Sequence, residues 1–151
     1  MKILIKEISA NTTYALRHPL LREGRPIESC AMEGDDHSHT IHLGAYLDGR
    51  LIGILSAMPN SCAECLEQSA YQLRGIAVIH DLQGRGVAKT LIYKAIEILC
   101  DRYKTKCIWL NARIAAQTLY LATGFIPIGA QFEIEPIGKH QRFVKFFTNE
   151  S

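Results

Sequence analysis

The sequence predicts one α+β domain whose elements follow the order β-α-β-β-β-α-β-α-β-β. Three observations predict this class. The length of 151 residues suits a single domain with its own core. Several segments alternate apolar and polar residues, which is typical of strands. One segment that begins at Val87 instead repeats its apolar residues at helical spacing.

The chain opens with a strand, a helix and a loop. Residues 2–8 alternate apolar and charged side chains and predict an edge strand. Asn11 or Thr12 is placed to cap a short helix, which Pro19 is expected to disturb. Residues 24–39 show no clear period, so we expect a loop there.

The middle of the chain predicts three consecutive strands. Asp48-Gly49 divides residues 40–59 into a hairpin, because this dipeptide accepts positive φ angles. Residues 71–79 form the next apolar run and contain Gly75. A glycine within a strand indicates a bulge or the close approach of another backbone.

The remaining elements are two helices and three strands. The helix that begins at Val87 carries one broad apolar face. Residues 106–112 are a short apolar run that predicts a buried strand. A second helix follows and ends near Gly124, a favourable residue just beyond a helix. The last two strands are separated by Pro136 and Gly138.

Composition narrows the class of protein. The chain is 48% hydrophobic and 21% charged, as globular domains are, and its net charge of +2 gives no reason to expect nucleic-acid binding. No apolar run approaches the ~18 residues of a membrane span, and no signal-peptide pattern opens the chain. With no repeat and no linker, we expect one cytoplasmic domain over residues 1–151 that does not bind membranes.

The cysteines and histidines do not predict a metal site. Five cysteines at irregular spacing indicate thiols that are mostly reduced. Cys62 and Cys65 form one C-x-x-C in the polar connection of residues 60–70, but no second pair follows at zinc spacing, so we interpret them as incidental loop residues. The irregular cluster of His37, His39 and His42 is interpreted as a solvated loop.

A glycine-rich turn, Gln83 to Ala88, stands between the strand of residues 71–79 and the next helix. Lys89 replaces the third glycine of a dinucleotide turn, and a P-loop would need a glycine at Ala88. Backbone N–H groups at a helix start still attract phosphate, and glycines let the main chain approach it closely. The turn therefore predicts a pyrophosphate site, with a purely structural turn as the alternative.

Two motifs in this order resemble the GNAT superfamily of N-acetyltransferases. The first is its acyl-CoA motif Q/R-x-x-G-x-G/A, present as Gln83-Gly84-Arg85-Gly86-Val87-Ala88. The second is A-x-x-L-Y-x-x-x-G-F, matched by Ala116, Leu119, Tyr120, Gly124 and Phe125. From about Arg17 to Lys145 the chain also resembles the ElaA-like bacterial branch of this superfamily.

The resemblance implies the GNAT acyl-CoA N-acyltransferase fold, a mixed and mostly antiparallel twisted sheet flanked by helices. It implies transfer of an acetyl group from acetyl-CoA to a primary amine, directly within a ternary complex and without a metal. The acceptor is then a small molecule or a protein amine, and a homodimer is compatible with the resemblance. The alternatives are a non-catalytic acyl-CoA-binding regulatory module and a nucleotide-binding protein.

The resemblance also assigns roles to residues. Ile76, Ala77 and Val78 are expected to pair with the pantetheine arm, with the Val78 N–H as oxyanion donor. Tyr120 is the expected general acid that protonates the departing thiolate. Asn111 or Arg113 is expected to contact the arm, because Arg113 occupies the place where many members carry asparagine. The pyrophosphate is expected at Gln83, Gly84, Arg85, Gly86, Val87, Ala88 and Lys89.

No single residue stands out as the general base. Residues 33–36 are expected to face the acceptor and bind an amine cation; the alternative is that one of these acids pairs with Arg74 instead. A water relay is also open. The candidate bases are His80, His140, Glu33, Asp35, Asp36 and Glu64.

Overall fold

A computed structural model describes residues 1–66 and 69–148 of the chain; part of the predicted 60–70 connection lies outside the described residues. Within them the chain forms seven strands and three α-helices in the predicted order, which confirms the α+β class. Three short 3-10 turns lie at Ile27–Cys30, His80–Leu82 and Ile114–Ala116. The elements are β1 Leu4–Glu7, α1 Ala10–Leu21, β2 Ile41–Leu47, β3 Arg50–Pro59, β4 Ala70–Val78, α2 Val87–Tyr103, β5 Cys107–Arg113, α3 Gln117–Ala122, β6 Ile126–Ile134 and β7 Gly138–Phe146.

The seven strands form one mixed sheet with the order β1-β2-β3-β4-β5-β7-β6. Strands β1 and β2, β2 and β3, β5 and β7, and β6 and β7 pair antiparallel, whereas β4 and β5 pair parallel. Contacts divide the chain into two compact units. The first unit comprises Met1–Pro59 and Leu73–Glu97, and the second comprises the described residues of Asn60–Gln72 and Ile98–Ser151. The single domain over residues 1–151 stays a prediction.

Helix α1 belongs to the first unit and begins earlier than expected. The Ser9 hydroxyl accepts from the Thr12 N–H at 3.1 Å, so Ser9 caps the helix, and the expectation of a cap at Asn11 or Thr12 is wrong. The helix continues through Pro19 to its end. Leu16 packs against β3 and β4 in a small apolar cluster.

Positive φ angles occur at three positions that the sequence analysis singles out. Asp48 (φ 51°) and Gly49 (φ 80°) form the tight connection between β2 and β3, as expected for a hairpin. Gly75 adopts φ 62° inside β4, an angle that favours glycine, while the expected bulge or close backbone approach stays a prediction. Gly124 adopts φ 91° directly after α3 and its capping residue, as a C-terminal glycine does.

The second unit contains a disulfide that the sequence did not predict. Cys65 and Cys107 are bonded, with their Cα atoms 6.0 Å apart and both residues buried. The interpretation of Cys65 as an incidental loop residue is therefore wrong, because the bond ties the connection before β4 to β5. Both half-cystines pack with Ala70, Trp109 and Val144 in a core cluster. The free thiols are Cys30, Cys62 and Cys100.

The helices of the second half confirm the apolar periodicity. The face of α2 is buried at Val87, Leu91, Ile92, Ala95 and Leu99. Helix α3 is shorter than expected, because the preceding residues form a 3-10 turn. Over the described ranges, no helix combines the length and apolar character needed to cross a membrane.

Candidate functional site

The glycine turn leads from β4 into α2 within the first unit. Gly84 adopts φ 76° and Gly86 adopts φ 84°, and a Cβ atom built on either would meet no protein atom within 4 Å. The first turn of α2 closes with a bond from Thr90 N–H to Gly86 O at 3.0 Å. The N–H groups just before Thr90 therefore have no acceptor within the helix. Open space in front of free N–H groups is what a pyrophosphate requires.

The turn is fastened to the end of β4. The Gln83 side-chain Nε2 donates to the Val78 carbonyl at 3.0 Å, so this amide braces the turn rather than facing open space. Arg85 and Lys89 are exposed beside the turn and add positive charge to it. The first unit thus holds Gln83 against Val78, while acyl-CoA binding by residues 76–78 and 83–89 stays a prediction.

Tyr120 lies in the second unit, buried under β7. Its ring packs edge-on against Phe125 at 6.2 Å between centroids and tilted against Phe143 at 5.8 Å. Burial raises the pKa of Tyr120 to about 12, so the hydroxyl stays protonated at neutral pH. That hydroxyl makes no hydrogen bond within residues 1–66 and 69–148. Tyr120 is therefore a neutral phenol at neutral pH, and its role as general acid stays a prediction.

Asn111 also lies in the second unit, exposed on β5. Its Oδ1 accepts from Arg142 Nε at 3.0 Å, while Arg142 Nη1 bonds Glu64 Oε1 at 3.0 Å. The Arg142 guanidinium lies over the Trp109 ring, 4.6 Å from its centroid. The hydrogen bond from Arg142 is the main cause that lowers the pKa of Glu64. A carboxylate held in this way is a weak base, which argues against Glu64 as the general base.

Asp35 pairs with Arg17 rather than with Arg74. Arg17 is fully buried on α1, and its Nη1 and Nη2 reach the two Asp35 carboxylate oxygens at 2.7 and 3.0 Å. Burial alone would raise the pKa of Asp35, but hydrogen bonds from Arg17 and the Met32 N–H outweigh it and lower the pKa. Asp35 is therefore also a weak base. Its ion-pair partner is Arg17 and not Arg74.

The Arg17–Asp35 pair continues into a hydrogen-bonded network. Arg17 Nη2 donates to Ser56 Oγ at 2.9 Å, and Ser56 Oγ lies 2.6 Å from His42 Nδ1. His42 Nε2 lies 3.1 Å from the Asp35 carbonyl. Because a carbonyl only accepts, Nε2 carries the His42 proton, and Nδ1 accepts from Ser56. His42 is thus a buried structural residue, not part of a solvated loop.

Arg17 is a buried ion-paired residue that the sequence could have indicated. It follows Leu16 and lies four residues after Thr13, on the buried face of α1. A charged residue at such a position calls for a buried partner. One donor of this guanidinium, Nε, is buried without a partner in the described chain, which costs about 1–3 kcal/mol.

The other candidate bases differ in exposure. His80, Glu33 and Asp36 are exposed. His140 is buried in the second unit, stacked on Phe132 at 5.8 Å between centroids, with Nδ1 2.8 Å from the Gly138 carbonyl. These four residues stay open as general bases.

The sequence matches known acetyltransferases. A model of the acetyltransferase (GNAT) family matches residues 5–125. The uncharacterized N-acetyltransferase YitI of Bacillus subtilis is 36% identical over 136 residues, which are 90% of this chain and 91% of that relative. The N-acetylaspartate synthetase of Xenopus tropicalis is 30% identical over 106 residues, which are 68% of this chain and 37% of that relative.

Solved structures share the fold. Escherichia coli ElaA superposes with a TM-score of 0.74 at 18% identity, over 95% of this chain and 99% of the other. A GNAT-family acetyltransferase from Streptococcus pneumoniae gives 0.73 at 18% identity, over 97% and 100%. Arabidopsis thaliana NAA60, solved with a bisubstrate analogue, gives 0.71 at 17% identity, over 96% and 98%. The seven-stranded sheet flanked by three helices is therefore the GNAT acyl-CoA N-acyltransferase fold, as the sequence predicts.

Proposed function

Because this chain belongs to the GNAT family of acetyltransferases, we propose that it transfers an acetyl group from acetyl-CoA to a primary amine, directly within a ternary complex. One observation carries the proposal. The turn at Gly84 and Gly86 presents N–H groups to open space, and Gln83 fastens it to the carboxyl end of β4. A phosphate-binding turn that continues a strand with an irregular Gly75 suits a long acyl carrier better than a compact nucleotide.

The first unit supplies the proposed binding surface for acetyl-CoA. The backbone N–H groups of residues 84–89 hold the pyrophosphate, with the positive end of the α2 dipole behind them. Arg85 and Lys89 add charge at the rim. Ile76, Ala77 and Val78 pair with the amides of the pantetheine arm as an added strand would. In the second unit, Asn111 is proposed to contact the same arm.

The proposed reaction has three requirements: deprotonation of the amine, stabilisation of the oxyanion and protonation of the departing thiolate. The amine loses a proton and attacks the thioester carbon, which gives a tetrahedral oxyanion. The Val78 N–H stabilises that oxyanion. Tyr120 donates its proton as the carbon–sulfur bond breaks, which releases CoA as the thiol and the acetylated amine as an amide. Because Asp35 and Glu64 are ion-paired, the base is water or one of the open candidates.

Calorimetry with acetyl-CoA, followed by a thiol-release assay over a panel of amines, tests the proposal. We expect binding of acetyl-CoA and turnover of at least one acceptor. Binding without turnover on every amine, together with unchanged slow hydrolysis in Tyr120→Phe, would identify a regulatory acyl-CoA-binding module instead. ATP binding tighter than CoA binding would contradict both and favour a nucleotide-binding protein.

The proposal extends to the kind of acceptor, the oligomeric state and the cellular location. The acceptor is an amine on a small molecule or a protein, and no nucleic acid, membrane or metal takes part. A homodimer in the cytoplasm is proposed from the resemblance. Light scattering of the purified chain tests the oligomeric state.

A further inference from the structure

The Cys65–Cys107 disulfide is closed off from solvent. Cys65 is 1% exposed and Cys107 is 0% exposed, and both pack with Ala70, Trp109 and Val144. A reductant opens a disulfide by attacking one of its sulfur atoms, so it needs access to that atom. Because both cysteines are buried, the bond can be opened only by local unfolding or through another group of the protein that reaches it.

A third cysteine lies against this disulfide. Cys62 keeps a free thiol and packs against the core cluster that contains Cys65 and Cys107. Cys62 is half-buried, whereas the two bonded cysteines are buried. It therefore contacts the cluster while remaining partly open to solvent, which is the position that a thiol needs to open a buried disulfide from within the protein.

The backbone holds Cys62 and Cys65 side by side across a turn of two residues. The Cys62 N–H donates to the Cys65 carbonyl at 3.1 Å, and the Cys65 N–H donates to the Cys62 carbonyl at 2.9 Å. Two residues that exchange both bonds in this way direct their side chains to the same face, with Cα atoms about 5.5 Å apart. Disulfides join Cα atoms that are about 4.4–6.8 Å apart. The backbone of this turn thus suits a bond between Cys62 and Cys65.

Two charged groups face the Cys62 thiol. The thiol donates to the Glu64 carboxylate, and Glu64 Oε1 is paired with Arg142 Nη1 at 3.0 Å. Burial is the main cause that raises the pKa of Cys62, and Glu64 adds to it, while the Glu64 N–H and the charge of Arg142 act in the opposite direction. Because the thiolate is the form that attacks a disulfide, exchange at Cys62 should become faster as the pH rises.

We propose that Cys62 is a thiol–disulfide exchange site through which the buried Cys65–Cys107 bond is opened. The Cys62 thiol first gives its proton to water, and the thiolate attacks Cys65 Sγ. A Cys62–Cys65 bond forms as the Cys65–Cys107 bond breaks, and Cys107 leaves as a thiolate that takes up a proton from water. The step is an isomerisation in which no electrons enter or leave the protein.

The exchanged bond is open to a reductant, because it includes the half-exposed Cys62. A dithiol or a phosphine can then reduce it. A dithiol becomes a disulfide in that reaction, a phosphine becomes a phosphine oxide with an oxygen atom from water, and Cys62 and Cys65 become thiols. The site therefore takes small reductants that the buried bond does not admit.

Reduction of the folded chain by tris(2-carboxyethyl)phosphine tests the proposal. Samples are quenched in acid, alkylated with N-ethylmaleimide and analysed by mass spectrometry, which counts the thiols over time. We expect Cys62→Ser to be reduced at least about tenfold more slowly than the unaltered chain, because its bond then opens only by local unfolding. Cys100→Ser, which removes another half-exposed free thiol, is the control and should keep the unaltered rate. Equal rates for folded Cys62→Ser and the unaltered chain overturn the proposal.

Two further comparisons separate access from chemistry. In concentrated urea, where every sulfur is open to solvent, Cys62→Ser and the unaltered chain should be reduced at equal rates. In the folded state, the ratio of the unaltered rate to the Cys62→Ser rate should rise between pH 6 and pH 9, since the Cys62 thiolate is the attacking form. A slower Cys62→Ser in urea, or a ratio that stays constant with pH, overturns the proposal.

Two measurements cover the case in which Cys62→Ser does not fold. Iodoacetamide applied to the folded Cys100→Ser chain blocks Cys62, and it should slow reduction as strongly as the serine substitution. In Cys107→Ser, oxidised glutathione should produce a Cys62–Cys65 bond, which peptide mapping identifies. An unchanged reduction rate after Cys62 is blocked, or Cys62 and Cys65 that remain unbonded in folded Cys107→Ser, overturns the proposal. These readouts do not depend on acetyl transfer.

Discussion

Arg17 and Asp35 form a two-pronged ion pair inside the first unit, with Nη1–Oδ2 at 2.7 Å and Nη2–Oδ1 at 3.0 Å. Asp35→Asn would leave the Arg17 charge buried without compensation, so we expect a loss of about 3–5 kcal/mol in the free energy of unfolding. Urea titration measures it. Asp36→Asn, at the exposed neighbouring position, is the control and should change stability by less than about 0.5 kcal/mol. An equal loss of stability in both variants would show that the ion pair does not stabilise the fold.

The same ion pair predicts a dependence of stability on acid pH. The pKa of Asp35 is lower in the folded chain than its ordinary value of 3.8. Its contribution is therefore fully present above pH 3.8 and is lost as the pH falls through the lower, folded pKa. Urea midpoints measured between pH 6 and pH 2 should fall more steeply for the unaltered chain than for a folded Asp35→Asn variant. Parallel curves would argue against this assignment.

Gly86→Val should abolish binding of CoA while the chain remains folded. The substitution strains a backbone at φ 84° by about 1–2 kcal/mol and fills the open space in front of the turn. Calorimetry with CoA and circular dichroism give the two readouts. Gly24→Val carries a similar strain away from the turn and should bind CoA normally. Unchanged affinity in folded Gly86→Val would show that the turn is only structural.

Tyr120→Phe should lower kcat by about 10²–10⁴-fold, the usual contribution of a general acid. Affinity for acetyl-CoA and thermal stability should change little, because the hydroxyl has no hydrogen-bond partner within the described residues. Tyr93→Phe on the exposed side of α2 is the control. Since burial raises the pKa of Tyr120 to about 12, this group should cause no loss of activity between pH 8 and pH 10. Normal turnover by Tyr120→Phe would remove it from the mechanism.

Opening the Cys65–Cys107 disulfide should destabilise the chain. The two cysteines are 42 residues apart, and a loop of this length predicts a loss of about 3–4 kcal/mol. Cys107→Ser measures this in urea, and Cys100→Ser is the control because Cys100 is a free thiol. Thiol titration of the unfolded chain without reductant should give three thiols. Five thiols would mean that the bond is absent in solution.

Much of the fold was predictable because its signals are local. The hairpin at Asp48-Gly49 and the irregular Gly75 follow from backbone angles that few other residues adopt. The apolar face of α2 follows from its spacing alone. Each of these features depends only on residues that are close together in the chain, so the sequence alone is enough to predict it.

The interactions between distant residues were not predictable in the same way. Arg17 and Asp35 are 18 positions apart, and nothing in their spacing selects them over Arg74 and its neighbouring acids. Cys65 and Cys107 are paired by the register of β4 and β5, where Ala70 lies opposite Cys107. Which distant residues become partners depends on the geometry of the folded sheet. A local sequence pattern carries no information about that geometry.

The bond from the Gln83 side chain to the Val78 carbonyl has a consequence for affinity. It joins the strand segment proposed for the pantetheine arm to the turn proposed for the pyrophosphate before any ligand arrives. A long, flexible carrier then meets a surface that needs little ordering, and the entropy lost on association is mainly that of the carrier. We therefore expect Gln83→Ala, which removes this bond, to weaken the binding of acetyl-CoA.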